Sequence, residues 1–253
     1  MKEKITSLRK TARRAGWLYL LIVLTTVYGH MYVPLQIFVE GDAAATAANM
    51  LQNELLFRSC IAAGLIETAA FLLLALTLHQ LMKEVDVARA RLMFVLVAVQ
   101  LPVALVFAVL KFMAISIVTN NDSGVAADTS STAMLLLNTI RYGSAVTGVF
   151  ASLWLFPLGV LVYRSHFLPE RLGMLLLFAA SGSLLTGLMA VLFPNYLDTA
   201  WPAFFFFILS VIPMMLWLLL RGVRDHISVA VVSERKLAPA LKSRVSVTHG
   251  VRQ

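Results

Sequence analysis

Residues 41–58 read GDAAATAANMLQNELLFR, the one long stretch with polar side chains in the first half of a chain that is otherwise almost continuous hydrocarbon. Gly41 suits a turn, because it lacks the Cβ that penalises a left-handed backbone. Asp42 beside it is placed to cap a helix by accepting a bond from a free first-turn N–H. Alanine dominates the next residues, so a short extracytoplasmic helix is predicted over about 42–58. At about 100° per residue, Asp42, Thr46, Asn49 and Asn53 share one stripe, while Ala47, Met50, Leu51, Glu54 and Arg58 lie roughly opposite. Glu54 and Arg58, four apart and oppositely charged, therefore ride on the apolar side. The plain reading is a helix on the rim of a bilayer with its ion pair reaching to the headgroups; the functional reading is a pair that faces a site.

The bilayer enters through composition. Hydrophobic residues make up 60% of the 253 and charged residues 13%, against about 45–50% and 25% in soluble domains. A soluble fold has no interior large enough to hide that much apolar surface. The net charge of +8 would suit nucleic acid, but its distribution points to one side of a membrane instead, and no nucleic-acid partner is expected. Cys60 is the single cysteine. It allows neither an internal disulfide nor a cysteine metal cage and is read as a small packing residue.

Working outward, residues 1–14 form a basic N-terminus and lead into an apolar run from Trp17 to Phe38, long enough to cross about 30 Å of hydrocarbon. It is too long for a signal-peptide core, so it is read as the first span, with Pro34 ending it. Further spans are predicted at Cys60–Met82, Arg91–Val118, Ile140–Tyr163, Leu172–Phe193 and Ala203–Leu220, and residues 119–133 as an irregular polar loop. The fold class is thus all-α, a six-helix transmembrane domain over 15–222 followed by a basic tail over 223–253. Of the 21 Lys and Arg residues, 18 fall in the two ends and the two connections that six spans place on one side. By the positive-inside rule both termini are cytoplasmic and the Gly41 segment is outside. Trp17 and Trp217 mark the inner edge, and Tyr32, Tyr196 and Trp201 the outer one.

The fourth and fifth spans carry small residues at four-residue spacing, Gly143, Thr147 and Ala151 beside Ser144, Gly148 and Ser152, then Ala179, Ser183 and Gly187 beside Gly182, Thr186 and Ala190. Such rows let helix backbones approach closely in lipid, and a contact through Gly148 and Ser183 or their row neighbours is expected. Pro102, Pro157 and Pro213 lie inside spans and can bend them. GWLYLL after the basic start, GDAAATAANM with ELLFR behind it, YRSHFLPERLGMLL and WLLLRGV together resemble a bacterial integral-membrane family, the domain of unknown function numbered four-three-eight-six. The resemblance runs from about residue 9 to 223. It implies a multi-span fold in the bacterial cytoplasmic membrane and brings no catalytic residues with it.

Ionisable groups inside spans cost about 2.5–3.5 kcal/mol at the bilayer centre on insertion scales, so each is a functional candidate. Depth along the predicted spans gathers His30, Glu67, Lys111 and Arg141 into one outer layer beneath Asp42, Asn49, Glu54 and Arg58. In a shared cavity Glu67 would be held by Lys111 or Arg141; taken separately, the cations snorkel, His30 bonds a carbonyl and Glu67 is neutral. Cations outnumber acids there, so a small anionic molecule or a lipid headgroup is the natural guest. No HExxH, phosphate-binding loop or GxSxG is present, the remaining histidines lie toward the inner side, and no cofactor or metal site is expected. Ligand binding is the leading reading. A partner-docking subunit, or a membrane enzyme acting on lipid headgroups through Glu67 or Glu54, are the alternatives.

Overall fold

The computed structural model describes residues 2–120, 129–165, 167–193 and 201–222. The expectations placed on the loop at 121–128, on His166, on Tyr196 and on the basic tail from 223 fall outside the described residues. Every element among the described residues is helical: α1 (Lys2–Thr26), a π-helical turn (Val27–Tyr32), α2 (Val33–Ile37), α3 (Ala43–Gln52), α4 (Glu54–Met82), α5 (Val87–Ala98), α6 (Leu101–Thr119), α7 (Thr129–Leu153), α8 (Leu155–Arg164), α9 (Glu170–Leu192) and α10 (Trp201–Leu220). Among the described residues five stretches are long and apolar enough to cross a membrane: Arg9–Ile37, Glu54–Met82, Val87–Thr119, Thr129–Arg164 and Glu170–Leu192. Leu55, Leu105, Val109, Phe150 and Phe178 stand exposed on their outsides, which is where such side chains belong when the solvent is hydrocarbon. This is a multi-pass membrane protein.

Breaks within the spans follow from proline. Pro102 and Pro157 each sit in the first turn of a new helix, α6 and α8, because a proline ring removes one backbone donor and collides with the carbonyl four residues earlier. At the first break the amide of Gln100 turns to the Val97 carbonyl (3.0 Å). The Leu96 carbonyl it abandons takes the Gln100 side-chain amide instead (2.6 Å), so that acceptor is not stranded in the apolar layer. Asp86 opens the same span, accepting from the Arg89 amide at 3.0 Å and pairing with the Arg89 guanidinium. The backbone bond from Arg89, helped by that charge, holds the Asp86 carboxyl below its ordinary value. Pro34 does not end the first span as expected; the chain stays helical to Ile37 by inserting the π turn ahead of it.

The segment after the first span is two elements rather than one helix over 42–58. Gly41 takes φ +74, and Asp42 Oδ1 accepts from the Ala45 amide at 2.8 Å, the turn and cap that the residues call for. Asn53 then interrupts, with φ −116 and ψ 38 and its side-chain amide donating to the Asn49 carbonyl at 3.1 Å. Asparagine competes for backbone groups in this way, and the helix stops at Gln52. Glu54 and Arg58 therefore belong to the first turns of α4. The fourth span also differs, since α7 starts at Thr129, where an irregular loop and then a start at Ile140 are expected. Its first turns pack beside α3 and α6 and bury Ala133, and that tertiary cover outweighs the weak helix preference of the Thr and Ser residues at its start.

Buried apolar residues form two clusters. One joins Ala15, Leu74, Leu78, Met93, Leu158, Leu176 and Met214 toward the chain's N-terminal end of the bundle; the other joins Val33, Met50, Phe57, Cys60, Ile115 and Ala133 at the α3 end. Helices α7 and α8 do pack on α9, and one member of the small-residue rows, Gly187, lies at the contact with α7 while Gly148 does not. A Cβ on Gly148 would meet nothing within 4 Å, so that glycine is no contact point. The close approaches are Gly187 on Val149, Gly159 on Leu177 and, tightest of these, Gly173 on the backbone of Tyr163. Gly143 instead takes Phe107 of α6, and Gly182 takes Phe206 of α10. Small residues thus serve four different helix contacts, and periodicity alone does not say which.

Candidate functional site

Between the two apolar clusters, α1, its π turn and α4 enclose a polar seam. Glu67, roughly 20 Å along α4 from Glu54, is gripped at both carboxylate oxygens. The Thr26 hydroxyl donates to Oε1 at 2.8 Å, and His30 Nε2 lies 3.3 Å from Oε2. Where the carboxylate is ionised it only accepts, and Nε2 then carries the hydrogen. Thr26 is buried, Glu67 is 21% exposed at its side chain and His30 57%. The seam is therefore closed on one side and open on the other.

Proline explains why this turn is special. In a continuous α-helix residue 34 would donate to the carbonyl of His30, which Pro34 cannot do. The π turn relieves the clash, with the Val33 amide donating five residues back to Tyr28. The Gly29 carbonyl then has no helix donor, since Val33 is engaged and Pro34 has no N–H. Cys60 supplies one: its Sγ lies 3.4 Å from that carbonyl. Lys111 of α6 places Nζ 3.7 Å from the same sulfur. On the other flank the Tyr28 hydroxyl meets Ser59 Oγ at 2.6 Å. Ser59 gives its own hydrogen to the Leu56 carbonyl, so Tyr28 is the donor. π-Helical turns recur at functional sites because they re-aim a side chain within a helix.

Of the eight candidate residues, the structure joins His30 to Glu67 directly and brings Lys111 to Cys60, whose other contact is one residue from His30. Lys111 does not hold Glu67, and neither does Arg141. Arg141 NH2 lies 3.6 Å from Glu40 Oε1, level with the chain's exit from the first span. Arg58 pairs with Glu54 (2.6 Å) and lays its guanidinium 5.9 Å from the centre of the Phe112 ring. Asp42 spends one oxygen as a helix cap, and Asn49 donates to the Ile37 carbonyl at 3.2 Å. With Thr46, which accepts from the Val39 amide at 3.0 Å, Asn49 ties α3 back onto the end of α2. A depression of about 260 Å³ near the end of α6 is lined by Met113, Ser116, Ile117 and Asn120, none of them a candidate.

Thr26 and Glu40 escape a reading by charge and depth, Thr26 because it carries no charge and Glu40 because it precedes the segment that draws attention. Thr26 had one available signal, its position four residues before His30 on the same helix face. Among the described residues no group of three or more His, Cys, Asp or Glu residues is placed to hold a metal ion.

No curated protein and no solved structure matches the chain. A family model described as "Domain of unknown function (DUF4386)" matches residues 14–222, which takes in the π turn, the Gly41–Asp42 turn and all the candidate residues, and the chain therefore belongs to the DUF4386 family.

Proposed function

We propose that this protein crosses the bacterial cytoplasmic membrane six times with both ends in the cytoplasm, and that it binds a small anionic or lipidic ligand in the outer half of the bilayer, with Lys111 as the charge that holds it. The observation carrying the reading is the surroundings of Lys111. Its ammonium lies against the weak acceptor Cys60 Sγ, and among the described residues no carboxylate is within ion-pair distance of it. Glu67 is taken by Thr26 and His30, Glu54 by Arg58 and Glu40 by Arg141. A cation held within a span without a counter-charge calls for an oxyanion, from a phospholipid headgroup or from a free phosphate or carboxylate. The sixth crossing rests on α10, whose 20 residues extend about 30 Å, and the orientation rests on the one-sided basic residues.

Melting the purified protein in neutral detergent tests the ligand. Phosphatidylglycerol, or else inorganic phosphate at matched ionic strength, is expected to raise stability over phosphatidylcholine or chloride, by about 2.7 kcal/mol at a hundred times its Kd. Lys111→Met should abolish the rise. The lipid and phosphate arms separate the two sources. Equal stabilisation of the variant, or no rise with either anion, rejects the reading. For the topology, a reporter active only in the cytoplasm, fused after Val223, and one active only in the periplasm, inserted at 122–130, should both give signal; silence from either rejects six spans in this orientation.

A further inference from the structure

We propose that Thr26, His30 and Glu67 form a proton-binding site within the bilayer, and that its protonation state governs how tightly the first two spans close on one another. The proposal rests on a different set of side chains from the Lys111 reading, and either can fail without the other. Its ground is the geometry of one carboxylate held by a non-titrating donor on one oxygen and by a titrating one on the other. Thr26 fixes where the carboxylate sits. His30, more than half exposed at its side chain, is the more accessible of the two titratable groups.

The chemistry of the couple comes from counting protons. With one proton shared between imidazole and carboxylate the couple is neutral overall and keeps both hydrogen bonds. A second proton leaves an imidazolium N–H beside a neutral carboxyl, which replaces the ion pair by a weaker bond and leaves a net positive charge. Removing the shared proton leaves a lone carboxylate charge in apolar surroundings. The singly protonated couple is thus the state that holds α1 and α4 together. The neighbouring charged and titratable groups leave this balance to the pair. From α6, Lys111 is turned to Cys60; on α4, Arg58 is occupied by Glu54; and from the π turn, Tyr28 is bound to Ser59.

The contact that protonation would loosen carries its own reporter. Cys60 is buried, it is the chain's single cysteine, and its sulfur rests on the Gly29 carbonyl, one residue from His30. Opening of the seam therefore exposes one thiol. The test is the rate at which N-ethylmaleimide alkylates Cys60 in the full-length protein in nanodiscs between pH 5 and pH 8, wild type against Glu67→Gln. The variant keeps an acceptor for Thr26 and cannot titrate, and dividing the two rates removes the thiol's own dependence on pH. The ratio of wild-type to variant rate is expected to rise severalfold on acidification. His30→Gln, which keeps a donor toward Glu67, should likewise flatten the wild-type profile, and it replaces Glu67→Gln as the reference if that variant does not fold. Rate profiles for wild type and variant that run parallel across the range overturn the proposal.

Discussion

Gly173→Ala is expected to lower the stability of the folded protein by about 3 kcal/mol or more, at the upper end of what overpacking costs. The added Cβ would lie 2.5 Å from the Tyr163 amide nitrogen, 2.6 Å from its Cα and 2.7 Å from its Cβ. Two of these atoms are backbone, so no rotamer change relieves the clash and α8 and α9 must move apart. That contact anchors Leu158, Leu161 and Leu176 in the larger apolar cluster, and separating the helices loosens all three. Gly148→Ala is the matched control, because nothing stands within 4 Å of its Cβ. Removing a helix-interior glycine should there be neutral or stabilising, by up to about 1 kcal/mol. Melting curves of the two variants in one detergent decide it. Similar shifts for both would show that Gly173 is not the close crossing described.

The second large effect is at Glu67. Glu67→Ala removes the acceptor for two donors, and the expected loss is about 1.5–3 kcal/mol, the scale of a hydrogen bond to a charged group. The more telling measurement is a pair of double-mutant cycles. Glu67→Ala with His30→Ala should be non-additive by about 0.5–3 kcal/mol, because each variant already destroys what the other would. Glu67→Ala with Lys111→Met should add within about 0.5 kcal/mol, as expected of residues that share no partner. Coupling of Glu67 to Lys111 but not to His30 would reverse the assignment of the clamp.

The double-mutant contrast also marks the boundary between what could be read from residue order and what could not. The membrane class, the apolar runs, the Gly41 turn and the Asp42 cap were legible because each is set by a few neighbouring residues. A run of apolar side chains is long enough to cross or it is not, and a left-handed turn beside a capping carboxylate needs only the local backbone. Depth was legible too, since rise per residue places His30 and Glu67 along their helices. The partner of Glu67 was not, because depth says nothing of rotation about the helix axis or of which helix lies alongside.

Here the rotation depends on Pro34. By forcing a π turn it inserts one extra residue, which swings the rest of the helix by about 100° relative to a regular one. His30, inside that turn, meets Glu67, and the Gly29 carbonyl is left to Cys60. The same limit explains the glycines. Gly148 and Gly173 are alike as letters, yet one faces open space and the other a neighbouring backbone. Residue order by itself determined that the chain enters a membrane, which runs are apolar enough to cross it and how the Gly41 turn is made, because those depend on transfer energies and local backbone chemistry. Only the tertiary structure decided which polar groups meet, since that depends on the mutual rotation and neighbours of packed helices, which no single helix contains.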